Sequence, residues 1–445
     1  MPQINASSPS NQDSPVPPSP PELKVGDYAA LVGMDWGDRS HAIALSPSGQ
    51  NEIESTTIVQ SAEALKHWLD SLETRFEKRP VAFAIEAGSK PVMRALQERS
   101  WAVIYAVHPA TSARMRSAFT PSGAKDDPPD ARTLLSILQQ HRDKLRVFLP
   151  HDEQTEKVAL LCAARRKTVD RGTLVSNKLT SLLKGYYPQA LELAGTDLKS
   201  PMALDFLSRW PDVASLKKAR PATLRNFYQA HNVRRPEIIA ARLELAAAAA
   251  DLTTNKALVE VSVIELHLLV AELRVLHKHI SRLDDAIAEA FAAHPEASFF
   301  KELPGAGAAL APRLLAAFGS DRSRYPDCAS LQKFSGIAPV TERSGKRTWV
   351  HWRRSAPKFL RQTFIEWAGQ TVTYSTWAAA YYQQQKDRGA DRWTILRSLA
   401  FKWLRILWRC WQDRTPYSEE AYLKQLAKRS SPIIQIISKF SAQNT

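Results

Sequence analysis

Over roughly the first quarter of the chain, apolar residues fall in short runs separated by turn chemistry, and beyond it they recur at helical spacing. Ala29 to Met34 reads as a strand, Gly37-Asp38-Arg39-Ser40 as a turn, and His41 to Leu45 as its antiparallel partner. Pro47-Ser48-Gly49 turns again into Ile53 to Val59, completing a three-strand meander. The order then changes. Ala62 to Phe76 has helical periodicity, Val81 to Ile85 is a short apolar strand, and Val92 to Arg99 is helical. Val103 to Val107 is a strand again, followed by helical Ala110 to Ser117. A meander followed by alternating helices and strands predicts an α/β domain of RNase H-like type, whose first and fourth strands lie side by side.

From Glu153 to Tyr187 the pattern is one long helix carrying Arg165, Arg166, Lys167, Arg171 and Lys178. A Gly- and Pro-punctuated stretch follows to about Pro236. Leu266, Leu269, Leu273, Leu276, Ile280, Leu283, Ile287 and Ala290 then alternate spacings of three and four, the a/d register of a coiled coil. The same seam would serve a helix packed inside its own domain, and the register does not say whether the partner lies within the chain or on another subunit. A further, mainly helical domain starts near Phe299. Its helix from Trp393 to Trp411 sets Leu396, Leu399, Trp403, Leu407 and Cys410 on one face and a basic stripe of Lys402, Arg405 and Arg409 on the other. Most of the C-terminal tryptophans read as core. The expected division is a tail over 1–27, the α/β domain over 28–150, a helical or coiled-coil linker over 151–296, an all-α C-terminal domain over 297–427 and a second tail over 428–445.

Candidate chemistry sits at the ends of these elements. Asp35 closes the first apolar run, Glu86 closes the run Val81 to Ile85, and Asp127 and Asp130 open a helical stretch. A carboxylate at the end of a buried strand is costly unless something positive meets it. Two such charges about 4 Å apart repel by roughly 4 kcal/mol at an effective dielectric near 20. Four converging carboxylates therefore point to divalent cations, two Mg²⁺ ions arranged for phosphoryl transfer. Taken alone, Asp127 before Pro128 is a good helix N-cap and Asp130 suits the helix dipole. The joint order of the four, with the last two a helical turn apart, favours the metal site.

The chain has 445 residues with 60 Lys and Arg against 45 Asp and Glu, a net charge of +15, and a pI near 9.7. That balance favours a polyanionic partner, and the charge is clustered: Arg343, Lys346, Arg347, Arg353, Arg354, Lys358 and Arg361 lie in a stretch without an acid. Cys162, Cys328 and Cys410 lie far apart, with neither zinc-like spacing nor an even count, which fits a reducing cytoplasm. Met1 to Leu23 has the Ser, Pro, Asn and Gln of a disordered tail and lacks the core of a signal peptide. No apolar run reaches membrane-spanning length.

Leu303-Pro304-Gly305-Ala306-Gly307 reads as a helix-hairpin-helix element, in which Gly305 and Gly307 let backbone N–H groups approach a phosphate. Ser344 follows Gly336-Ile337-Ala338-Pro339 in a glycine-containing turn among Arg343, Lys346 and Arg347. Two readings of it stand on the residues alone: an ordinary turn serine, or a hydroxyl placed to meet a phosphodiester whose negative charge the cations stabilise. The basic groups Arg165, Arg166 and Lys167, with Lys402, Arg405 and Arg409, are candidate contacts to nucleic-acid backbone.

These motifs together resemble the insertion-sequence-110 (IS110) family of bacterial transposases, the bridge-RNA-guided DEDD recombinases. The resemblance runs from about Val32 to Lys424 and rests on Gly33-Met34-Asp35, Ile85-Glu86-Ala87-Gly88, Lys125-Asp126-Asp127 with Asp130-Ala131, Leu303 to Gly307, and Gly336 to Pro339 with Ser344-Gly345-Lys346. It implies a RuvC-like N-terminal domain joined through a coiled coil to a C-terminal transposase domain. It implies Mg²⁺ held by Asp35, Glu86, Asp127 and Asp130, and Ser344 as the nucleophile of a covalent phosphoserine link to DNA. The ions would polarise the phosphate and help deprotonate a serine that has no evident histidine base. It further implies donor and target DNA as substrates, an element-encoded bridge RNA as guide, dimers or tetramers with composite sites, and a bacterial cytoplasm close to the nucleoid. Two departures stand out. The usual Lys-Thr-Asp reads Lys125-Asp126-Asp127, which leaves Asp126 beside Asp127 as third acid, and the Gly-Asn segment before a Leu-Arg pair reads Ser355-Ala356-Pro357-Lys358-Phe359-Leu360-Arg361. Ser355 is a second, weaker candidate serine. Two other functions remain open to this sequence: a RuvC-like junction nuclease using metal-activated water, and a non-catalytic nucleic-acid-binding descendant of a transposase.

Overall fold

The computed structural model describes residues 27–50, 52–87, 90–119, 127–345 and 347–443; the expected N-terminal tail up to residue 26, Asp126 and Lys346 lie outside them. The chain divides into two compact units, one ending at Pro150 and one starting at His151.

The first unit is a mixed α/β domain. Its strands β1 (Ala30–Trp36), β2 (Ser40–Pro47), β3 (Glu54–Val59), β4 (Val81–Glu86) and β5 (Ala102–Val107) form one sheet in the order β3-β2-β1-β4-β5. The meander β1-β2-β3 is antiparallel, whereas β1 pairs with β4, and β4 with β5, in parallel. The helices are α1 (Ala62–Arg75), α2 (Lys90–Gln97), α3 (Pro109–Phe119) and α4 (Asp127–His141). Ser61 caps α1 by accepting from the Ala64 N–H at 3.1 Å. Strand β4 is buried for five consecutive residues because helices cover both faces of the sheet. One face packs Met34, Ile43, Phe83 and Ile85 against Leu65, Leu69 and Leu72 of α1 and Val92 and Leu96 of α2. The other packs Leu31, Ala44, Ala82 and Ala84 against Ala131, Leu134, Leu135 and Leu138 of α4.

Gly33 sits where β1 crosses under α4. A Cβ there would lie 2.1 Å from the Ala131 carbonyl oxygen and 2.4 Å from the Leu135 nitrogen. The helix backbone rests on the strand backbone, and a side chain at position 33 has nowhere to go.

The second unit is mainly helical. Two long helices, α5 (Glu153–Tyr186) and, after the intervening elements, α11 (Lys256–Ala292), run side by side. Their cross-links descend in α11 as they climb α5, through Thr155 with His294, Arg165 with Asp284 and Arg171 with Glu272, so the pair is antiparallel. Leu266, Leu269, Leu273, Leu276, Ile287 and Ala290 are buried and Ile280 and Leu283 half-buried, so the a/d seam is satisfied within the chain. Between the two helices the Gly/Pro-rich stretch forms short helices α6 (Ala190–Leu193), α7 (Pro201–Arg209), α8 (Val213–Lys217) and α9 (Pro221–Ala230), then α10 (Pro236–Ala248). Prolines start α7, α9 and α10, where the missing N–H costs nothing, and Ser200 and Asp212 cap α7 and α8.

The remaining elements are α12 (Ala297–Lys301), α13 (Gly307–Phe318), α14 (Cys328–Phe334), the hairpin β6 (Val340–Ser344) and β7 (Arg347–His351), α15 (Lys358–Tyr374), α16 (Thr376–Asp387), α17 (Arg392–Gln412), α18 (Glu419–Lys428) and α19 (Pro432–Gln443). Trp367, Trp377, Trp403 and Trp411 are fully buried, as the helical pattern implied, while Trp393 is exposed. The core around them also takes in Val158 and Cys162 of α5 and Ile287 and Phe291 of α11. Residues expected as a separate linker and C-terminal domain therefore share one core. The expected tail over 428–445 is corrected: it carries α19, whose Ile433 is buried and whose Ile436 and Ile437 pack on the same core. Isoleucines at helical spacing supply the apolar face that a tail would lack. Among the described residues no helix is long and apolar enough to cross a membrane.

Gly33→Ala should lower the stability of the first unit by roughly 1–3 kcal/mol, the cost of overpacking. Domain-resolved thermal unfolding checks this, with Ala44→Gly, on the neighbouring strand, as the comparison variant.

Candidate catalytic carboxylates and serine

Met34 stands opposite Ile85 in the parallel ladder, so one step further Asp35 lies alongside Glu86 at the ends of β1 and β4. Side chains alternate across a strand, so both acids share the sheet face of Gly33 and Ala84, the face that α4 covers. Asp130, in the first turn of α4 one residue before Ala131, is 8% exposed. Arg116 of α3 donates from Nη1 to its carboxylate at 2.7 Å. Glu86 is half-buried, and the Ser112 hydroxyl, also on α3, donates to its Oε1. Helix α3 thus presents Ser112 and Arg116, one turn apart, to two of the acids. Asp127 begins α4, and its side chain lies outside the described ones. Among the described residues no three His, Cys, Asp or Glu side chains gather as a ready-made cation cage.

Ser344 is exposed at the end of β6, with Arg347 directly across the hairpin. Gly345 follows at φ +57°, the left-handed backbone that lets the chain reverse there. Alternation puts Val340, Glu342 and Ser344 on one face with Arg347, Trp349 and His351. Glu342 accepts from Trp349 Nε1 at 2.9 Å and from His351 Nε2 at 2.7 Å. The other ring nitrogen of His351 donates to the Trp352 carbonyl at 3.1 Å. With an acceptor at each nitrogen the imidazolium is favoured, so the Glu342 carboxylate holds His351 above its ordinary value while Glu342 itself is pulled down.

The basic candidates divide. Arg165 pairs with Asp284, Arg166 with Asp170 at 2.9 Å and with Glu366 at 3.6 Å, and Arg409 with Asp413. Their charge is at least partly spent within the chain, whereas Lys167 is exposed. Arg343, Arg347, Arg354 and Lys358 are exposed on the hairpin and the segment after it, and so is Ser355. Arg361 is half-buried, donating to the Arg353 carbonyl at 3.0 Å. Lys402 and Arg405 lie on one side of α17, Lys402 half-buried with its ammonium 4.8 Å from the Tyr381 ring centroid. Gly305, at φ +69°, forms a turn pressed on α15, where a Cβ would meet Gln370 at 3.0 Å; Gly307 is open. Reading the sequence alone missed Ser112, Arg116 and Arg397. The available signal was the Ser112/Arg116 spacing of four in the helix after β5.

Two transposase family models match the chain. The IS110-type DEDD transposase model covers residues 32–188 and the model of the IS116/IS110/IS902 transposase family covers residues 297–383. The chain is 28% identical over 398 residues to the mini-circle putative transposase for IS117 of Streptomyces coelicolor, covering 88% of this chain and 95% of that protein. It is 27% identical over 411 residues to the 44.8 kDa protein of insertion element IS116 of Streptomyces clavuligerus, covering 89% of this chain and 98% of that one. It is also 24% identical over 401 residues to the IS110 43.6 kDa protein of S. coelicolor, at 88% and 96% coverage. The molecule is an insertion-sequence transposase. It belongs to the IS110 family.

The hairpin contact has a pH signature. The raised His351 stabilises the pair fully below its unfolded value of 6.5 and loses this as pH rises through the folded value; the depressed Glu342 adds stability above its unfolded 4.5 and loses it as pH falls through its own folded value. The pair is thus at full strength between those two values. Nuclear magnetic resonance titration should place His351 above its ordinary value in the wild type and lower in Glu342→Gln than in the wild type.

Proposed function

We propose that this transposase is an RNA-guided recombinase that moves its own element by a serine–DNA intermediate. The observation that carries this reading is the in-register placement of Asp35 and Glu86 on the sheet face under the helix of Asp130, in a chain whose second unit exposes Ser344 on a basic hairpin. The strand order of the first unit supports a RuvC-like domain.

The carboxylates fit Mg²⁺ by chemistry, being oxygen-only and hard. Asp35, Glu86, Asp127 and Asp130 would hold it, and the Arg116 contact to Asp130 marks how strongly that acid calls for positive charge. Bound there, Mg²⁺ supplies Lewis-acid stabilisation of a phosphate. Ser344 Oγ attacks a DNA phosphorus, forming a serine phosphoester while the bond to the departing sugar oxygen breaks. The serine proton passes to solvent and the departing oxygen takes one up. Arg347, across the hairpin from Ser344 and on the same face, can bind the phosphate's non-bridging oxygens. Gly345, at φ +57°, lets the chain reverse directly after Ser344.

Guidance by an element-encoded bridge RNA follows from the same family reading. The +15 charge suits two nucleic-acid partners, and base pairing would carry the target choice. Val261, Ile264, Leu268 and Val275 form an exposed apolar stripe on α11, outside the seam used by α5, which supports assembly with a second copy.

Denaturing electrophoresis with labelled donor and target DNA, the element's flanking transcript and Mg²⁺ tests the chemistry. A protein-linked DNA band is expected from wild type and from neither Ser344→Ala nor Asp35→Ala. Cleaved DNA without an adduct, surviving in Ser344→Ala, would make the protein a junction nuclease. Separately, Mg²⁺ should raise the melting temperature of wild type and leave that of Asp35→Asn unchanged, a readout independent of activity.

A further inference from the structure

A cleft of about 600 Å³ opens in the second unit between the Gly336–Pro339 loop, the end of β7 with the residues after it, and α17. Its size falls within the roughly 300–1,000 Å³ of small-ligand clefts. Ile337, Ala338 and Phe401 give it an apolar floor. Arg353, Arg397, Lys402 and Arg405 give it four cations, and no carboxylate occurs among its described lining residues. Gly336 lets the wall close in: a Cβ there would lie 2.5 Å from the Ala356 Cβ.

The cations are poorly compensated. Asp391, the cap of α17, only partly offsets Arg397, and Arg353 Nε is buried without a described hydrogen-bond partner. Burial, reinforced by Arg405, pushes the Lys402 ammonium below its ordinary range, and burial does the same to Arg397. An anion in the cleft would relieve both effects. The aromatic part is equally specific. The Arg397 guanidinium lies 3.5 Å from the centroid of Trp352, fixed from behind by its bonds to the Trp393 carbonyl and the Thr394 hydroxyl. A planar cation layered on an exposed indole is a surface on which a nucleobase stacks.

We propose that this cleft takes an unpaired nucleotide of a DNA strand, its base against the Trp352–Arg397 layer and its phosphate between Lys402, Arg405 and Arg353. The cleft is concave, and a base still paired in a duplex could not enter it. Its wall is the far end of the hairpin that presents Ser344, four residues along the strand and so about 13 Å away. This deepens the proposed function and rests on its reading of the second unit as the part that handles DNA. In that setting the cleft anchors a strand that has left its duplex, so that the phosphate next in line reaches the hairpin tip.

The test is equilibrium binding by fluorescence anisotropy, with the full chain in a Ser344→Ala background and without Mg²⁺. The probes are a short fluorescein-labelled oligothymidylate, its duplex with oligoadenylate, and oligouridylate. Trp352→Ala should weaken single-stranded DNA binding roughly tenfold or more, with duplex binding little changed. Trp352→Phe should retain most of the affinity. Lys402→Ala should lower the slope of log affinity against log salt by about 0.7, one phosphate contact, while Trp352→Ala leaves the slope unchanged. Equal losses for single strand and duplex would overturn the proposal, as would affinities within about twofold of the parent. A loss confined to the RNA probe would also overturn it. Matched thermal melts establish that the variants fold. Because no covalent step is read, absence of a serine adduct in wild type would sink the proposed chemistry and leave this site standing.

Discussion

The closeness of α4 to β1 governs the N-terminal unit. Backbone rests on backbone at Gly33, and that contact brings Asp130, one residue before Ala131, over the sheet face where Asp35 and Glu86 emerge. The arrangement sets one buried carboxylate, Asp130, and two half-buried ones, Asp35 and Glu86, on the same side of the sheet. Such a concentration persists only with positive partners. Among the described contacts, Arg116 supplies a positive charge to Asp130 and the Ser112 hydroxyl a hydrogen bond to Glu86, both from α3. The same contact that builds the core therefore also creates the demand for charge on which the proposed chemistry draws.

The second unit solves a different problem, holding a basic surface on a stable frame. Helices α5 and α11 form its spine, joined by an apolar seam and by ion pairs such as Arg171 with Glu272. Around Trp367, Trp377, Trp403 and Trp411 the C-terminal helices bury large aromatic rings whose indole N–H groups find acceptors, Trp367 on the Pro304 carbonyl and Trp403 on the Thr371 hydroxyl. That core leaves the β6–β7 hairpin at the surface, carrying serine and arginine outward. Cations that lie near acids are neutralised within the fold, as Arg165 and Arg166 show. Those on the hairpin and along one side of α17 keep their charge available to an anionic partner.

Much of this was written in local pattern. The meander, the alternation that follows it and the long helices were legible because strand and helix periods repeat over enough residues to be read. Asp35 and Glu86 could be expected side by side once β1 and β4 were recognised, since the fold type makes those strands neighbours. The hairpin around Ser344 was less legible: Val340 to Ser344 is polar and exposed, so no period-2 burial marks it as a strand. The terminal helix α19 falls in the span read as a tail; its helix is short, and the core that its isoleucines meet is built from segments far away in the chain.

The amino-acid sequence by itself determined the secondary elements, the excess of positive charge and the order of the acids and the serine, because each depends on residues close together in the chain. Tertiary structure alone decided that the a/d seam of α11 is filled by α5, that Ser112 and Arg116 serve the acids, and that Arg353, Arg397 and Lys402 line one cleft with Trp352. Those outcomes depend on which surfaces meet. Packing and charge pairing between segments far apart in sequence set that, and no local spacing records it.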